Sequence, residues 1–281
     1  MLPDLTPPAT RRTVDVDGHT ASYLTAGDGP TVLLLHGTYW SRVWLRVIEP
    51  LAAAGLQPVA VDLPGCGRSG GELTLDSATV PALAGWVNRF VEALRPNALA
   101  GVAGHDIGGA LTQRLLVTDE LRLDRIALVN SVSYDSWPVP SVARYRDPDL
   151  VAAITIEDIL AARRQAITTA LARPADEDEV QDYISPWTDM RVARSWMAIA
   201  GAADSRYTLE LMDHIRADRR PKLLIWGQDD SFQPISYAER LVAEVPETEL
   251  VRVPDAGHIP MENDPALVAE ALATFFRGDR T

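Results

Sequence analysis

The sequence predicts an α/β protein with a mostly parallel sheet and a helical insertion. Short apolar segments alternate with segments of helical apolar spacing, which is typical of parallel strands joined by crossover helices. This alternation stops after Ser131, and roughly ninety residues of helical pattern follow before the next apolar segment begins at Lys222. Because the strand–helix pattern then resumes, we interpret the interruption as an insertion into one sheet, not as a boundary between two independent domains.

The individual elements follow from local patterns. The dipeptide Asp17-Gly18 is a turn signal and predicts a hairpin between the first two strands. Later strand segments such as 31–35 are almost wholly apolar, as expected for strands buried on both faces. The predicted strands are 14–16, 21–24, 31–35, 58–63, 98–103, 125–130, 222–226 and 250–253, and the predicted helices are 43–53, 78–94, 107–117, 156–171, 177–184, 191–200, 236–243 and 265–276. We therefore expect an eight-stranded core from residues 1–132 and 221–281, and a helical cap from residues 133–220.

Composition limits the classes of function. The chain has 281 residues and a formal net charge of −13 at pH 7, which disfavours nucleic acid and anionic membrane surfaces as partners. Cys66 is the single cysteine, which excludes an internal disulfide and a multi-thiolate zinc site, and we expect no metal ion or other cofactor. Residues 1–8 lack an apolar stretch of signal-peptide length, so we expect a cytoplasmic protein. The oligomeric state stays open, a homodimer included.

Two segments compete for the role of nucleophile turn. Residues 67–71 match Gly-x-Ser-x-Gly literally, but Ser69 lies several residues beyond its strand and is followed by a polar loop. A nucleophile elbow needs a strand that runs directly into a sharp turn and then a helix. Residues 104–109, Gly-His-Asp-Ile-Gly-Gly, have that context, and Asp106 stands where an esterase would have its serine. A helix cap would explain the aspartate but not the three surrounding glycines.

Further groups at strand ends could complete a catalytic site. A His-Gly dipeptide ends the third strand, and the main-chain N–H groups of Thr38 and Ile107 are the natural pair to bind a developing oxyanion. The seventh strand ends at two carboxylates, Asp229 and Asp230, and His258 follows the last strand. The chain order nucleophile, acid, histidine is that of an α/β-hydrolase triad.

These motifs together resemble the α/β-hydrolase fold family over nearly the whole chain. The aspartate elbow resembles the branch of epoxide hydrolases and haloalkane dehalogenases, and the insertion resembles the helical cap of that family. Carried over to this chain, the resemblance implies Asp106 as nucleophile, His258 as base and Asp230 as acid.

The position of the acid differs among members of that branch. Some dehalogenases place it after the sixth strand, where this chain has Asn130 and Ser131. We therefore favour Asp230, with Asp229 and Asp135 as weaker alternatives.

An aspartate in the place of serine changes the expected substrate. A carboxylate side chain is ionised near neutral pH and needs no base before it attacks. Attack on an acyl ester would give an anhydride, whereas attack on an epoxide or on a carbon that bears a halide gives a stable alkyl ester. His258, oriented by Asp230, would then activate water against that ester. The sequence thus predicts a hydrolase for a small apolar electrophile, bound in an apolar cavity.

The residues expected to bind the leaving group depart from both family patterns. This chain has Ile107 where many members have a halide-binding Trp, Thr38 where dehalogenases often have Asn, and Tyr39 where epoxide hydrolases often have Pro. Epoxide hydrolases protonate the leaving alkoxide with cap tyrosines, and Tyr207 is the best placed of those in the insertion. The predicted substrate contacts are Tyr39, Trp40, Tyr134, Trp137 and Tyr207. We predict an epoxide hydrolase; the alternatives are a haloalkane dehalogenase, a β-lactone-opening or lyase-type enzyme, and a non-catalytic ligand receptor.

Overall fold

The sheet begins with a hairpin. Strands β1 (Thr10–Val16) and β2 (His19–Thr25) pair antiparallel along their full lengths, and the turn between them holds Asp17 and Gly18 at φ of 56° and 78°. Positive φ at both turn positions matches the right-handed twist of paired strands, as the Asp-Gly dipeptide predicts. The computed structural model describes residues 9–278, so the segment 1–8, on which the signal-peptide expectation rests, lies outside the described residues.

The remaining strands extend the sheet in parallel. They are β3 (Thr31–Leu35), β4 (Gln57–Val61), β5 (Leu99–Asp106), β6 (Ile126–Ser131), β7 (Lys222–Gly227) and β8 (Thr248–Val253). The order is β1-β2-β4-β3-β5-β6-β7-β8; β2 pairs antiparallel with β4, and every pair from β4 to β8 is parallel. The eight-stranded, mostly parallel sheet predicted from the sequence is confirmed.

Helices cover both faces of this sheet. The core helices are α1 (Leu45–Ala53), α2 (Val80–Leu94), α3 (Ile107–Thr118), α11 (Ser236–Glu244), α12 (Pro260–Asn263) and α13 (Pro265–Arg277). In β3, Leu33 and Leu35 join the apolar cluster formed with α2 and α3, whereas Val32 and Leu34 join the cluster formed with α1 and α13. Successive side chains of a strand point to opposite faces, so a strand covered on both sides needs apolar residues throughout.

Seven α-helices and two short 3₁₀ helices lie between β6 and β7, in a stretch that the structure describes completely and that contains no strand. The α-helices are α4 (Pro140–Ala143), α5 (Pro148–Ala153), α6 (Ile156–Leu171), α7 (Glu177–Ile184), α8 (Met190–Ala202), α9 (Arg206–Leu209) and α10 (Met212–Ala217). A capping box formed by Thr155 and Asp158 begins α6, which satisfies main-chain N–H groups at its first turn. Residues of α4, α6 and α8 border a cavity above the sheet, whereas α9 and α10 pack against α3.

Candidate active site

The turn after β5 presents Asp106. This residue ends β5 immediately before α3 begins, and its backbone has φ 55° and ψ −124°, a conformation that is strained for a residue with a side chain. The surrounding glycines permit close packing of the turn. A Cβ on Gly104 would lie 2.2 Å from the carbonyl oxygen of Gly108, and a Cβ on Gly109 would lie 1.8 Å from Oγ of Ser131. The glycine pattern in the sequence therefore reflects a steric requirement of this elbow.

The two carboxylate oxygens of Asp106 have different surroundings. Oδ2 accepts hydrogen bonds from the main-chain N–H of Thr38 at 2.9 Å and from its hydroxyl at 2.8 Å. Oδ1 lies 4.0 Å from Nε2 of His258. A Cβ on Gly37 would lie 2.5 Å from both Oδ2 and the nitrogen of Ile107, so only glycine fits beside this pair. Sequence reasoning predicted the amide of Thr38 but missed its hydroxyl.

His36 holds the loop that carries Thr38. Its Nε2 accepts a hydrogen bond from the N–H of Leu63 at 2.9 Å, and its Nδ1–H donates to the carbonyl oxygen of Gly37 at 2.9 Å. Burial lowers the pKa of His36 below its ordinary value, so the ring is neutral, and its two nitrogens perform these two opposite roles. His36 therefore joins the ends of β3 and β4 and does not face the cavity.

His258 and Asp230 form a buried pair. Nδ1 of His258 lies 2.9 Å from Oδ2 of Asp230. The other oxygen, Oδ1, accepts hydrogen bonds from the main-chain N–H groups of Phe232 and Gln233. Burial alone would raise the pKa of Asp230, but His258 and the hydrogen bonds lower it. Burial alone would lower the pKa of His258, but the Asp230 carboxylate raises it above its ordinary value.

Asn130 supports this pair, a role that sequence reasoning missed. Its Nδ2 donates to Oδ2 of Asp230 at 2.6 Å, and its Oδ1 accepts from the N–H of Gly227 at 3.0 Å. Thus the end of β6 contributes an amide that orients the acid at the end of β7. The alternative acids, Asp229 and Asp135, are exposed, and neither is hydrogen-bonded to the His258 ring in the described structure.

His105, the residue before Asp106 in the elbow, holds His258 in position. Its Nε2–H donates to the carbonyl oxygen of His258 at 2.8 Å, and the two ring centroids lie 4.7 Å apart. Burial and the neighbouring His258 lower the pKa of His105 to about 4, so its ring is neutral near pH 7. The elbow therefore contributes both Asp106 and a main-chain anchor for His258.

A cavity of about 390 Å³ lies over Asp106 and His258. Most of its wall is apolar, and two predicted contact residues, Tyr39 and Trp137, belong to it. The indole N–H of Trp137 donates to the hydroxyl of Thr208 at 2.8 Å, so it is not free for a ligand.

Three predicted substrate contacts lie outside this wall, which corrects the sequence-based prediction. Trp40 donates its indole N–H to the carbonyl oxygen of Tyr183 and packs beneath the cap instead of facing the cavity. Tyr134 donates its hydroxyl to Glu244 at 3.0 Å, away from the site. Tyr207 packs in the apolar cluster around α3. For Tyr134 and Tyr207, the distance in sequence from β6 or β7 does not determine on which side of the sheet the residue lies, and this is why the prediction failed for these two.

The cavity wall contains a buried cation that the sequence did not reveal. Arg163, on α6, is 5% exposed, and its guanidinium carbon lies 4.9, 4.6 and 4.6 Å from the ring centroids of Tyr39, Trp187 and Trp196. Its Nη2 donates to the carbonyl oxygen of Thr38 at 3.1 Å. No carboxylate forms an ion pair with Arg163 in the part of the chain that the structure describes, and its Nε has no hydrogen-bond partner there.

Comparison with known proteins agrees with this fold. The model of the alpha/beta hydrolase family matches residues 32–271. The chain belongs to the alpha/beta hydrolase family. A soluble epoxide hydrolase from Corynebacterium sp. is 25% identical to this α/β hydrolase over 283 residues, which cover 93% of this chain and 95% of that protein. A pimeloyl-[acyl-carrier protein] methyl ester esterase from Aeromonas hydrophila is 27% identical over 259 residues, which cover 89% and 96% of the two chains.

The fold is also shared with solved structures. The crystal structure of a haloalkane dehalogenase from Bradyrhizobium elkani matches this α/β hydrolase with a TM-score of 0.79 at 20% identity, covering 96% of this chain and 98% of that one. Since these similar proteins have different reactions in their names, family membership alone does not identify the reaction. The reaction depends on the residues at the elbow and in the cavity.

Two further findings on the described residues concern membrane-spanning helices and metal-binding groups. None of the helices within residues 9–278 of this α/β hydrolase is both long enough and apolar enough to cross a membrane. The same residues contain no group of three or more His, Cys, Asp or Glu side chains that could hold a metal ion.

Proposed function

We propose that this α/β hydrolase uses Asp106 as a nucleophile against a saturated electrophilic carbon, and that His258 and Asp230 then hydrolyse the resulting alkyl ester. The observation that carries the proposal is the asymmetric environment of the Asp106 carboxylate. Oδ2 is held by two donors of Thr38, whereas Oδ1 faces His258 across 4.0 Å. One oxygen is thus bound where an oxyanion would be stabilised, and the other faces the base and the cavity.

The first step forms the ester. Oδ1 of Asp106 donates an electron pair to the electrophilic carbon, a C–O bond forms, and the bond from that carbon to halide or epoxide oxygen breaks with its electrons. The negative charge moves from Asp106 to the leaving group. The hydrogen bonds of Thr38 keep Oδ2 in place, so the same oxygen is always presented for attack.

The second step releases the product. The 4.0 Å separation between Nε2 of His258 and Oδ1 of Asp106 is too long for a direct hydrogen bond, and we assign the hydrolytic water to this side of the carboxylate. Nε2 takes a proton from that water, and its oxygen attacks Cγ of the ester. Charge develops on Oδ2, where the N–H and hydroxyl of Thr38 already point. Collapse breaks the bond between Cγ and Oδ1 and releases an alcohol, which takes the proton from His258. Asp106 keeps the oxygen from water, and the remaining proton on that oxygen goes to solvent or, after epoxide opening, to the residue that protonated the alkoxide.

Epoxide opening is the first candidate reaction. The alkoxide that it generates needs a proton, and two tyrosines, Tyr39 and Tyr145, border the cavity. Burial raises the pKa of Tyr39 to about 12, with Arg163 opposing the rise, so the hydroxyl is protonated near pH 7. The hydroxyl of Tyr145 accepts a hydrogen bond from Arg144 at 3.0 Å and keeps its own hydrogen for a ligand. Tyr145 thus takes the role first assigned to Tyr207, and similarity to the Corynebacterium epoxide hydrolase supports this candidate.

Dehalogenation is the second candidate, and one observation favours it. Trp196 borders the cavity, and its indole N–H is buried without a hydrogen-bond partner among the described residues. An unpaired buried donor is costly unless a ligand satisfies it, and a halide ion leaving the electrophilic carbon would do so.

A paired substrate panel tests the proposal. Purified protein is incubated with a series of epoxides and a series of haloalkanes, and diol formation and halide release are measured for wild type, Asp106→Ala and Asp229→Asn. We expect turnover in the wild type and in D229N, whose side chain is exposed beside the triad acid, and none in D106A. The variants Tyr145→Phe and Trp196→Phe should selectively slow epoxide opening and dehalogenation, respectively.

Isotope labelling tests the covalent step directly. A single turnover in ¹⁸O-water should place the label in the peptide that contains Asp106, because that carboxylate exchanges one oxygen with water per cycle. Formation of product without label in that peptide would rule out the ester mechanism.

A further inference from the structure

We propose that Arg163 binds a carboxylate group on the substrate, so that the electrophile this cavity takes is a small carboxylic acid. The nature of the reacting carbon rests on the proposed function of Asp106, but the carboxylate site rests on Arg163 itself. This inference revises the expectation of an apolar substrate.

The charges around the cavity point to an anionic ligand. In a chain of net charge −13, the charged residues of the cavity wall besides His258 are Asp106, Arg144 and Arg163. Arg144 is exposed to solvent, so Arg163 is the buried cation of this wall. When Asp106 becomes an ester, its negative charge is lost, and a negative group on the ligand would then balance Arg163.

Other buried cations of this protein have carboxylate partners, and Arg163 differs from them. Nη1 of Arg42 lies 2.6 Å from Oε1 of Glu262, and Nζ of Lys222 lies 3.0 Å from Oδ1 of Asp218. Arg163 is as deeply buried, but no carboxylate forms an ion pair with it among the described residues. Its neighbours are the carbonyl oxygen of Thr38, the hydroxyl of Tyr39 and aromatic rings, Asp106 acts on it only from beyond ion-pair distance, and its Nε is unpaired there. Because a buried charge without a counter-ion is unfavourable, its retention at the wall of a cavity indicates a ligand.

The shape of the Arg163 guanidinium favours a carboxylate, rather than the leaving group of the substrate, as its ligand. A guanidinium has a planar fork of donors that matches the two oxygens of a carboxylate, whereas a halide or an alkoxide offers one acceptor atom. The rings of Trp187 and Trp196 restrict the fork, and the bond from Nη2 to Thr38 fixes its direction. Thr38 links the two groups, because its carbonyl oxygen accepts from Arg163 and its N–H donates to Oδ2 of Asp106.

The dimensions limit the substrate to a short acid. The cavity has a volume of about 390 Å³. The carbonyl oxygen of Thr38 contacts Arg163, and the N–H of Thr38 contacts Asp106. The backbone of one residue therefore separates Arg163, which would bind the carboxylate, from the nucleophile. The electrophilic carbon of the substrate should therefore lie within a few bonds of its carboxylate, as in a short epoxy acid or halo acid.

A binding experiment that needs no catalysis tests this site. Butanoate and its neutral counterpart butanamide are titrated into wild type, Arg163→Met, Arg163→Lys and Arg164→Met, and tryptophan fluorescence is followed because Trp187 and Trp196 flank the guanidinium. Arg164 is a matched control, since it is on the same helix but pairs with Glu177 at the surface. We expect wild type and R164M to bind butanoate roughly 10- to 100-fold more tightly than butanamide, and R163M to lose this preference.

The possible results separate the site from the reaction. Equal binding of the two ligands by wild type, or loss of the preference in R164M, would overturn the carboxylate site. If R163M does not fold, R163K decides, because it keeps the charge but loses the fork and should reduce the preference about tenfold.

A kinetic comparison completes the test with 2,3-epoxybutanoate and 2,3-epoxybutanamide. R163M should lower kcat/KM for the acid far more than for the amide, whereas an equal loss for both would show that Arg163 only positions Thr38 and would contradict the proposal. If neither compound is turned over while the binding preference persists, the Asp106 mechanism fails and the carboxylate site stands.

Discussion

Replacing Thr38 by valine tests the division of labour between the two oxygens of Asp106. The change removes the hydroxyl that donates to Oδ2 at 2.8 Å, while the main-chain N–H that donates at 2.9 Å and the branched shape of the side chain remain. A hydrogen bond to a charged group contributes about 1.5–3 kcal/mol. At 1.36 kcal/mol for each tenfold change in rate, its loss corresponds to a roughly 10- to 100-fold slower step.

The two chemical steps should respond differently. During ester hydrolysis the charge develops on Oδ2, so this step loses the full contribution of the hydroxyl. During alkylation the charge leaves the carboxylate, and the lost hydrogen bond had stabilised the state before attack. Thr38→Val should therefore slow hydrolysis without slowing alkylation, and the alkyl ester should accumulate.

Rapid quenching followed by intact mass measurement detects that ester. The protein is heavier by the full mass of an epoxide substrate, or by the mass of the alkyl group less one hydrogen after halide has left a haloalkane. The value of kcat is measured in parallel. Thr38→Ser is the matched control, because it keeps the hydroxyl and should behave like the wild type. A T38V protein with unchanged kcat and no ester would refute the assignment of Oδ2 to the oxyanion site, and so would equal slowing of both steps.

Three further predictions concern the triad and the elbow. The rate of ester hydrolysis should fall on acidification, because His258 must be neutral to accept a proton. The midpoint should lie above the ordinary imidazole pKa of 6.5, since Asp230 raises the pKa of His258. A pH profile of kcat in Asp230→Asn should show a lower midpoint. Asn130→Ala should lower the free energy of unfolding by about 1–3 kcal/mol in urea titrations, since Asp230 and the N–H of Gly227 lose a buried partner. An unchanged urea midpoint of unfolding would contradict the support assigned to the Asn130 amide. Asp106→Gly should unfold at a higher temperature than Asp106→Ala, because glycine relieves part of the ~1–3 kcal/mol of backbone strain at φ 55° and ψ −124°. The reverse order of unfolding temperatures would show that the turn is unstrained.

Much of the fold could be predicted from local patterns. Asp17-Gly18 gives the hairpin because few dipeptides tolerate positive φ twice, and the apolar segments give central strands because both faces of the sheet are covered. Boundaries were less accurate: β5 runs to Asp106, whereas the prediction ended that strand at residue 103. The prediction stopped early because Gly104 does not favour a strand, but Gly104 pairs with Leu35 of β3 and Leu128 of β6, and this pairing overrides that preference.

Sequence by itself determined which residue types stand at the ends of the strands. The glycines around Asp106 and the order of Asp106, Asp230 and His258 are properties of chain segments only a few residues long, and in a parallel sheet the carboxyl ends of the strands meet at one edge. Because these three residues follow parallel strands of one sheet, the strand order is enough to bring their side chains together.

Tertiary structure alone decided what surrounds them. Arg163 and Arg164 are adjacent in sequence, and successive residues of a helix point about 100° apart. One of them therefore enters the cavity while the other pairs with Glu177 at the surface. Which one faces inward depends on how α6 packs in the tertiary structure. The packing of other segments likewise places Tyr145 at the cavity and Tyr207 against α3. Such contacts join distant segments, so no local pattern in the sequence specifies them.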